Sequence, residues 1–166
     1  MSEKYRIFEK YVAEHKRALS RLCCTLCGNY ADAEDLFQET WYKAIKNYDK
    51  FDKSRSFEKW LFTICINTYK DNCARFSFKK NIQFNTNDEK DIFLSSIADE
   101  QIRNEKYDEL IEAIRELPEK YRTILSLRYF NDYSEKDVAQ ILKIPVGTVK
   151  SRLNKAKSLI RRRFSE

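Results

Sequence analysis

The chain has 166 residues, 42% hydrophobic and 14% aromatic, with two glycines, two prolines and a formal net charge of +6. That is core material for one mid-sized domain or two small ones, and Gly28 and Gly147 stand too far apart for a dinucleotide fingerprint or a phosphate-cradling loop, each of which needs several glycines in one turn. The charge is uneven: residues 1–80 carry 16 Lys+Arg against 11 Asp+Glu, residues 81–106 carry 3 against 6, and residues 107–166 carry 13 against 9, so two basic bodies flank an acidic connector and nucleic acid is the expected partner.

Long runs free of breakers and rich in Glu, Lys, Leu, Arg and Ala predict an all-α fold. The opening residues, MSEKYRIFEK, are charged from the third position, and the longest uncharged runs, Leu22–Ala31 and Trp60–Tyr69, have ten residues each. Neither a signal peptide nor a bilayer span is expected, which predicts a cytoplasmic chain with no membrane insertion. A first helix is predicted from Glu3 to about Cys27, with Phe8, Tyr11, Val12, Leu19, Leu22, Cys23 and Leu26 inward and Gly28 as its stop. The cysteines Cys23, Cys24 and Cys27 read as small buried apolar groups; a zinc site would need a fourth ligand from Cys65, Cys73 or His15, and no spacing fixes one.

Asp32 is expected to cap a second helix, with Ala33, Leu36, Phe37, Thr40, Trp41, Ala44 and Ile45 toward the core. Asp35, Gln38, Glu39, Tyr42 and Lys46 remain as a separate exposed row, which is either a solvated face or a partner surface. After a polar loop, Ser56 caps a third helix to about Phe76 that is apolar nearly all round, so it should be buried or partnered. Its one polar stripe is Lys59, Thr63, Asn67 and Lys70. With Phe51, Phe57 and the Arg75–Lys80 segment nearby, that stripe suits an unstacked single strand, although core packing also explains the aromatics.

Residues 81–106 read as a flexible linker, long enough at full extension to reach roughly 85 Å. From Tyr107, Leu110, Ile111, Ile114 and Leu117 form one helix; Pro118 opens the next, and Tyr121, Ile124, Leu125, Arg128 and Tyr129 continue it. Ser134 can cap a helix through Asp137, with Val138, Ala139, Ile141 and Leu142 on its apolar stripe. Pro145 and Gly147 interrupt it, and Thr148 can cap a last helix with Val149, Leu153, Ala156, Leu159 and Ile160 inward. Residues 143–166 hold 8 basic residues against 1 acid, the charge pattern of a recognition helix in a DNA groove, or else of a solvated basic helix.

Four segments, DAEDLFQETW (Asp32–Trp41), WLFTICINTYKD (Trp60–Asp71), LPEKYRTILSLRYF (Leu117–Phe130) and VGTVKSRLNKAK (Val146–Lys157), occur in this order over nearly the whole chain. Together they closely resemble the extracytoplasmic-function group of bacterial RNA polymerase sigma factors. The resemblance implies two small helical domains joined by a linker, residues 1–80 for polymerase docking and minus-10 recognition and residues 107–166 for minus-35 recognition. It implies a transcription initiation factor that is not an enzyme and takes no cofactor or metal.

By the same matching, Asp35, Gln38, Glu39 and Tyr42 correspond to the docking surface for the coiled coil of the polymerase largest subunit. The flap is a further core contact. Lys59, Trp60, Thr63, Asn67 and Lys70 correspond to the minus-10 surface, with Asn67 at the pocket for a flipped-out base. Thr148, Lys150, Ser151, Arg152, Asn154 and Lys155 correspond to the minus-35 surface, with Arg152 on phosphate or in an ion pair. The implied partners are core polymerase, promoter DNA and an anti-sigma factor. Lys143 departs from the pattern where a small residue or glycine is usual, and Lys155 and Lys157 stand where arginine is commoner. Read without the resemblance, the competing function is a helix-turn-helix repressor or activator whose first domain senses a ligand or dimerises.

Overall fold

The computed structural model describes residues 2–27, 29–73 and 104–165. Among them lie seven α-helices and no strand, so the all-α expectation holds. Helix α1 spans Glu3–Leu26, α2 Tyr30–Lys46 and α3 Phe57–Asp71, with a single 3-10 turn at Tyr48–Lys50 before α3. Then come α4, Glu105–Arg115, α5, Glu119–Leu125, α6, Glu135–Leu142, and α7, Val146–Ser165. A π-helical turn, Ser126–Phe130, follows α5 directly.

Several caps act where the sequence puts them. Ser56 Oγ accepts from the Lys59 amide at 3.3 Å, and Ser134 Oγ accepts from the Asp137 amide at 3.1 Å. Others move. The second helix is capped by Asn29, not Asp32: Asn29 accepts from the Asp32 amide at 2.8 Å and donates to the Asp32 carboxylate at 2.8 Å. A reciprocal pair of that kind satisfies two groups at once, so it outcompetes a single aspartate cap.

The last helix begins two residues before Thr148, because the Pro145 carbonyl already takes the Thr148 and Val149 amides at 3.0 and 3.2 Å. Gly147 therefore sits inside the first turn of α7 and interrupts nothing. Pro118 is the cap before α5, not its first residue. Asn104 caps α4 by accepting from the Tyr107 amide at 2.9 Å. Helix α3 ends at Asp71 with Asn72 as its C-cap, short of the expected end near Phe76. The expected stop at Gly28, the Arg75–Lys80 segment and the linker through residue 103 lie outside the described residues.

The core explains why α3 is apolar all round. Its one side, with Phe57 and Leu61, packs on α1 and α2, while α6 covers the turn that carries Phe62. Phe62 meets Tyr133 edge-on at 5.7 Å. Edge-to-face packing of this kind adds to the area buried. Helix α1 likewise touches α2 and α3 on one flank and α4, α5 and the π-turn on another, while α4, α5 and α6 seat α7. Phe8, Tyr11 and Phe57 form an aromatic knot, Tyr11 stacking on Phe57 at 3.8 Å between centroids. Phe51 and Phe57 are buried in that knot, so these two aromatics serve the core, not a nucleic-acid strand.

Candidate nucleic-acid interfaces

Helix α7 is anchored by one edge and open along the other. Val149, Leu153 and Ala156 are buried, which at 100° per residue leaves Lys150, Ser151, Asn154 and Lys155 on the outer arc. All four are exposed, while Thr148 and Arg152 are half-buried at its margins. Two charged contacts flank its edges: Lys157 lies 5.4 Å from the Tyr129 ring, and Arg163 pairs with Glu116, the residue that caps the end of α4. Nothing lies within 4 Å of a Cβ built on Gly147, so the first turn of α7 is open to close approach. Before α7, Lys143 has φ 57° and ψ 46°. A side chain in this left-handed region costs about 1 kcal/mol against glycine.

The polar stripe of α3 is half open. Asn67 and Lys70 are exposed near the helix C-terminus, and Thr63 is half-buried with its hydroxyl bonded back to the Lys59 carbonyl at 2.8 Å. Trp60 is half-buried, 4.9 Å from Phe51 and 5.6 Å from Phe57 between ring centroids. Lys59 is half-buried: its ammonium donates to the Asp137 carboxylate of α6 at 2.6 Å and to Gln140 at 3.3 Å. The bond from Lys59 holds the Asp137 carboxyl below the usual carboxylate range, with Ser134 helping.

On α2, Asp35, Gln38 and Tyr42 stand exposed in one row, Tyr42 at 64%. Lys46 lies 6.0 Å from the Tyr42 ring. Glu39 departs from the row: it is half-buried, accepts from Asn72 at 3.1 and 3.2 Å, and pairs with Lys43 at 3.6 Å. A cleft of about 150 Å³ between α1 and α2, lined by Cys24, Tyr30, Phe37 and Gln38 among others, opens beside this row.

Sequence reasoning missed the junction between the two halves. Arg115 of α4 is 5% exposed and donates through Nε at 3.0 Å, and again through Nη2, to the Cys27 carbonyl at the end of α1. Helix α1 has no basic residue in its last turn, so the cation that favours its negative pole comes from another helix. Burial pushes the Arg115 guanidinium down to about 10, so it stays charged at neutral pH. Arg122 of α5 is also buried. It donates to the Arg115 and Leu117 carbonyls at 3.0 and 3.2 Å and to the Tyr69 hydroxyl of α3.

Arg21 donates to the Phe130 carbonyl at 2.8 Å, and the buried Thr25 and Ser126 hydroxyls bond to each other. Tyr133 donates to Glu58, whose other oxygen meets His15 at 3.1 Å; burial first, then that bond, pushes the Tyr133 hydroxyl up. A signal was present for one of these residues. Arg115 falls four positions after Ile111, on the apolar stripe of its own helix, where a solvated arginine has no place.

Among the cysteines, Cys23, Cys24, Cys27 and Cys65 are buried and Cys73 is half-buried. Cys23 and Cys65 touch across α1 and α3 with sulfurs 3.7 Å apart. The described residues contain no group of three or more His, Cys, Asp or Glu arranged to hold a metal ion. No helix among them is long and apolar enough to cross a membrane.

Comparison with known proteins bears on both faces. Residues 11–77 match the family model for sigma-70 region 2, and residues 107–160 match that for sigma-70 region 4. The chain is 29% identical to the ECF RNA polymerase sigma factor SigW of Bacillus subtilis, covering 96% of this chain and 89% of that protein. It is 31% identical to SigV of the same organism over 90% and 86%, and 33% identical to SigL of Mycobacterium tuberculosis over 92% and 86%. Its fold matches the sigma factor RpoE solved with the anti-sigma factor NepR from Bartonella quintana, with a TM-score of 0.73 at 24% identity over 95% and 96% of the chains. It also matches CnrH solved with the cytosolic domain of CnrY, with a TM-score of 0.69 at 21% identity over 97% and 89%.

Proposed function

We infer the working of this chain from one premise: it belongs to the extracytoplasmic-function RNA polymerase sigma factors. It binds core polymerase, recognises the minus-35 and minus-10 elements of a promoter and initiates transcription. It works in the cytoplasm, where the polymerase is, and contributes no catalytic group; polymerisation chemistry stays with the core enzyme.

The roles divide by exposure. Residues 107–166 read the minus-35 element through α7: Lys150, Ser151, Asn154 and Lys155 face base edges, and Thr148 and Arg152 sit at the margins where phosphates run. Residues 1–80 carry the other two contacts. Asn67, with Lys70, Thr63, Trp60 and Lys59, takes the opened minus-10 strand, because an amide can read a base edge once the base leaves the stack. Asp35, Gln38, Glu39 and Tyr42 take the coiled coil of the polymerase largest subunit, and the flap is a further core contact. An anti-sigma factor is the expected partner; the solved relative RpoE is bound to one, NepR.

The observation that carries this reading is the exposed outer arc of α7, basic and uncovered by any other described helix. The test is transcription in vitro, with purified chain and bacterial core polymerase on a genomic fragment library. New start sites absent with core alone are expected. Asp35→Ala with Gln38→Ala should weaken binding to core polymerase while duplex binding by the free chain stays unchanged, and unaltered holoenzyme assembly would reject the docking role.

A further inference from the structure

We propose that Lys43 and Asn72 are positioning residues for base reading: with Glu39 and Thr68 they tie the last turn of α3 to α2 at two points and so fix where the Asn67 amide is presented. This rests on the reading of Asn67 as the residue that takes a base of the opened strand.

The ties form two rungs in one register. Asn72 Nδ2 donates to both Glu39 carboxylate oxygens at 3.1 and 3.2 Å, and the Lys43 ammonium donates to the Thr68 hydroxyl at 3.2 Å. Glu39 and Lys43 are four apart on α2, and Thr68 and Asn72 are four apart at the end of α3, so each pair shares one helix edge. Residue numbers rise along one helix as they fall along the other, as two antiparallel helices require. One rung would stop the turn from sliding but let it pivot; two stop both. Lys43 also pairs with Glu39 at 3.6 Å, which joins the rungs into one network.

The network bears on Asn67 through its neighbours. Thr68 is buried while Asn67, the residue before it, is exposed, so any shift of the Thr68 edge moves Asn67 with it. Helix ends fray, because their last carbonyls have no partner within the helix, and Asn67 stands close to the end of α3 at Asp71. An amide that reads a base edge has to be held to about 0.5 Å.

Stability does not account for the rungs. The Lys43 and Glu39 side chains are 36% and 26% exposed, and such pairs contribute little. Leu36 and Ala44 of α2 and Leu61 and Cys65 of α3 are fully buried and carry the packing. Apolar burial has no direction, so direction is what the rungs add. Glu39 serves here beside its role toward polymerase.

The test uses holoenzyme, with the chain in excess, on a fragment that yields a start site in the transcription experiment, every base of its minus-10 segment being varied in turn. Asn67→Ala identifies the position it reads by the loss of preference there. At that position Lys43→Met, Asn72→Ala and Thr68→Val should each reduce the preference at least about twofold, the lower edge of coupling within one hydrogen-bond network. Thr68→Ser, which keeps the hydroxyl, should retain it. Preferences at other positions and binding of minus-35 duplex should stay as in wild type, and in the Asn67→Ala background Lys43→Met should cost no further preference. Lys43→Met changes only a partly exposed ammonium, so it decides the matter even if Thr68→Val fails to fold.

Unchanged preference in Lys43→Met or in Asn72→Ala, beside a clear loss in Asn67→Ala, overturns the positioning role alone. So does an equal loss in Thr68→Ser and Thr68→Val, which places the effect in methyl packing. A uniform loss over all sequences with a reduced salt slope in Lys43→Met would make Lys43 a phosphate contact and overturns it too. If Asn67→Ala alters no preference, the base-reading role falls; if no fragment is transcribed, the functional reading falls; the positioning role falls with either.

Discussion

The two helices assigned to DNA are built on opposite plans. Helix α7 buries a narrow stripe of Val149, Leu153 and Ala156 and leaves its outer arc to solvent, while α3 buries residues on most of its circumference and leaves a broken line of polar ones. The difference fits the two roles proposed for them. A duplex groove accepts a whole helix surface, whereas a single unstacked base needs a small pocket in a rigid wall. It also separates stability from binding: at α7 a side chain can change DNA contacts without touching the core, and at α3 the two are intertwined.

The largest break in that contrast comes from the core of α3. Phe62→Ala removes a fully buried ring that meets Tyr133 and should cost about 3–5 kcal/mol of stability, read as a lowered denaturant midpoint of the full chain. A loss below 1 kcal/mol would mean that α3 is not enclosed in solution. Next, Lys150→Ala should leave stability unchanged and reduce discrimination between promoter variants by about 1–3 kcal/mol. Arg162→Ala should weaken all sequences alike and reduce the salt slope by about one. Indistinguishable effects of these two in one binding series would remove the distinction between a reading arc and a supporting end of α7.

Smaller in stability but specific in effect, Asn67→Ala should leave folding and initial duplex binding near wild type while reducing permanganate reactivity of the opened strand. Normal melting would empty the α3 stripe of its proposed role. The smallest change concerns the turn that aims α7. Lys143→Gly relieves a left-handed side chain and should stabilise the chain by about 1 kcal/mol with minus-35 discrimination unaltered; a loss of discrimination would show that Lys143 itself contacts DNA.

Much of this was legible residue by residue. Apolar periodicity identified the buried faces of α1, α2 and α7. Ser56 and Ser134 announced their helices, because a serine cap is satisfied by atoms three residues away. Where a cap had competitors the reading slipped by two or three residues, as at Asn29 and Pro145, since both candidates lie in the same short window and only backbone geometry selects one. Glu39 shared a predicted surface with Gln38 and Tyr42 but turns partly inward to Asn72, a partner 33 positions away.

The sequence by itself determined the helices, their apolar faces, the basic end and the family, because each is written in spacings of three to seven residues or in contiguous motifs. The junction between the halves was decided only by the tertiary structure. Arg115 reaching the Cys27 carbonyl spans 88 positions, and Lys59 reaching Asp137 spans 78. No periodicity encodes a contact at that separation. It exists because α1 ends without a cation of its own and α3 has a second apolar side to cover, and both needs are met only when the distant helices pack.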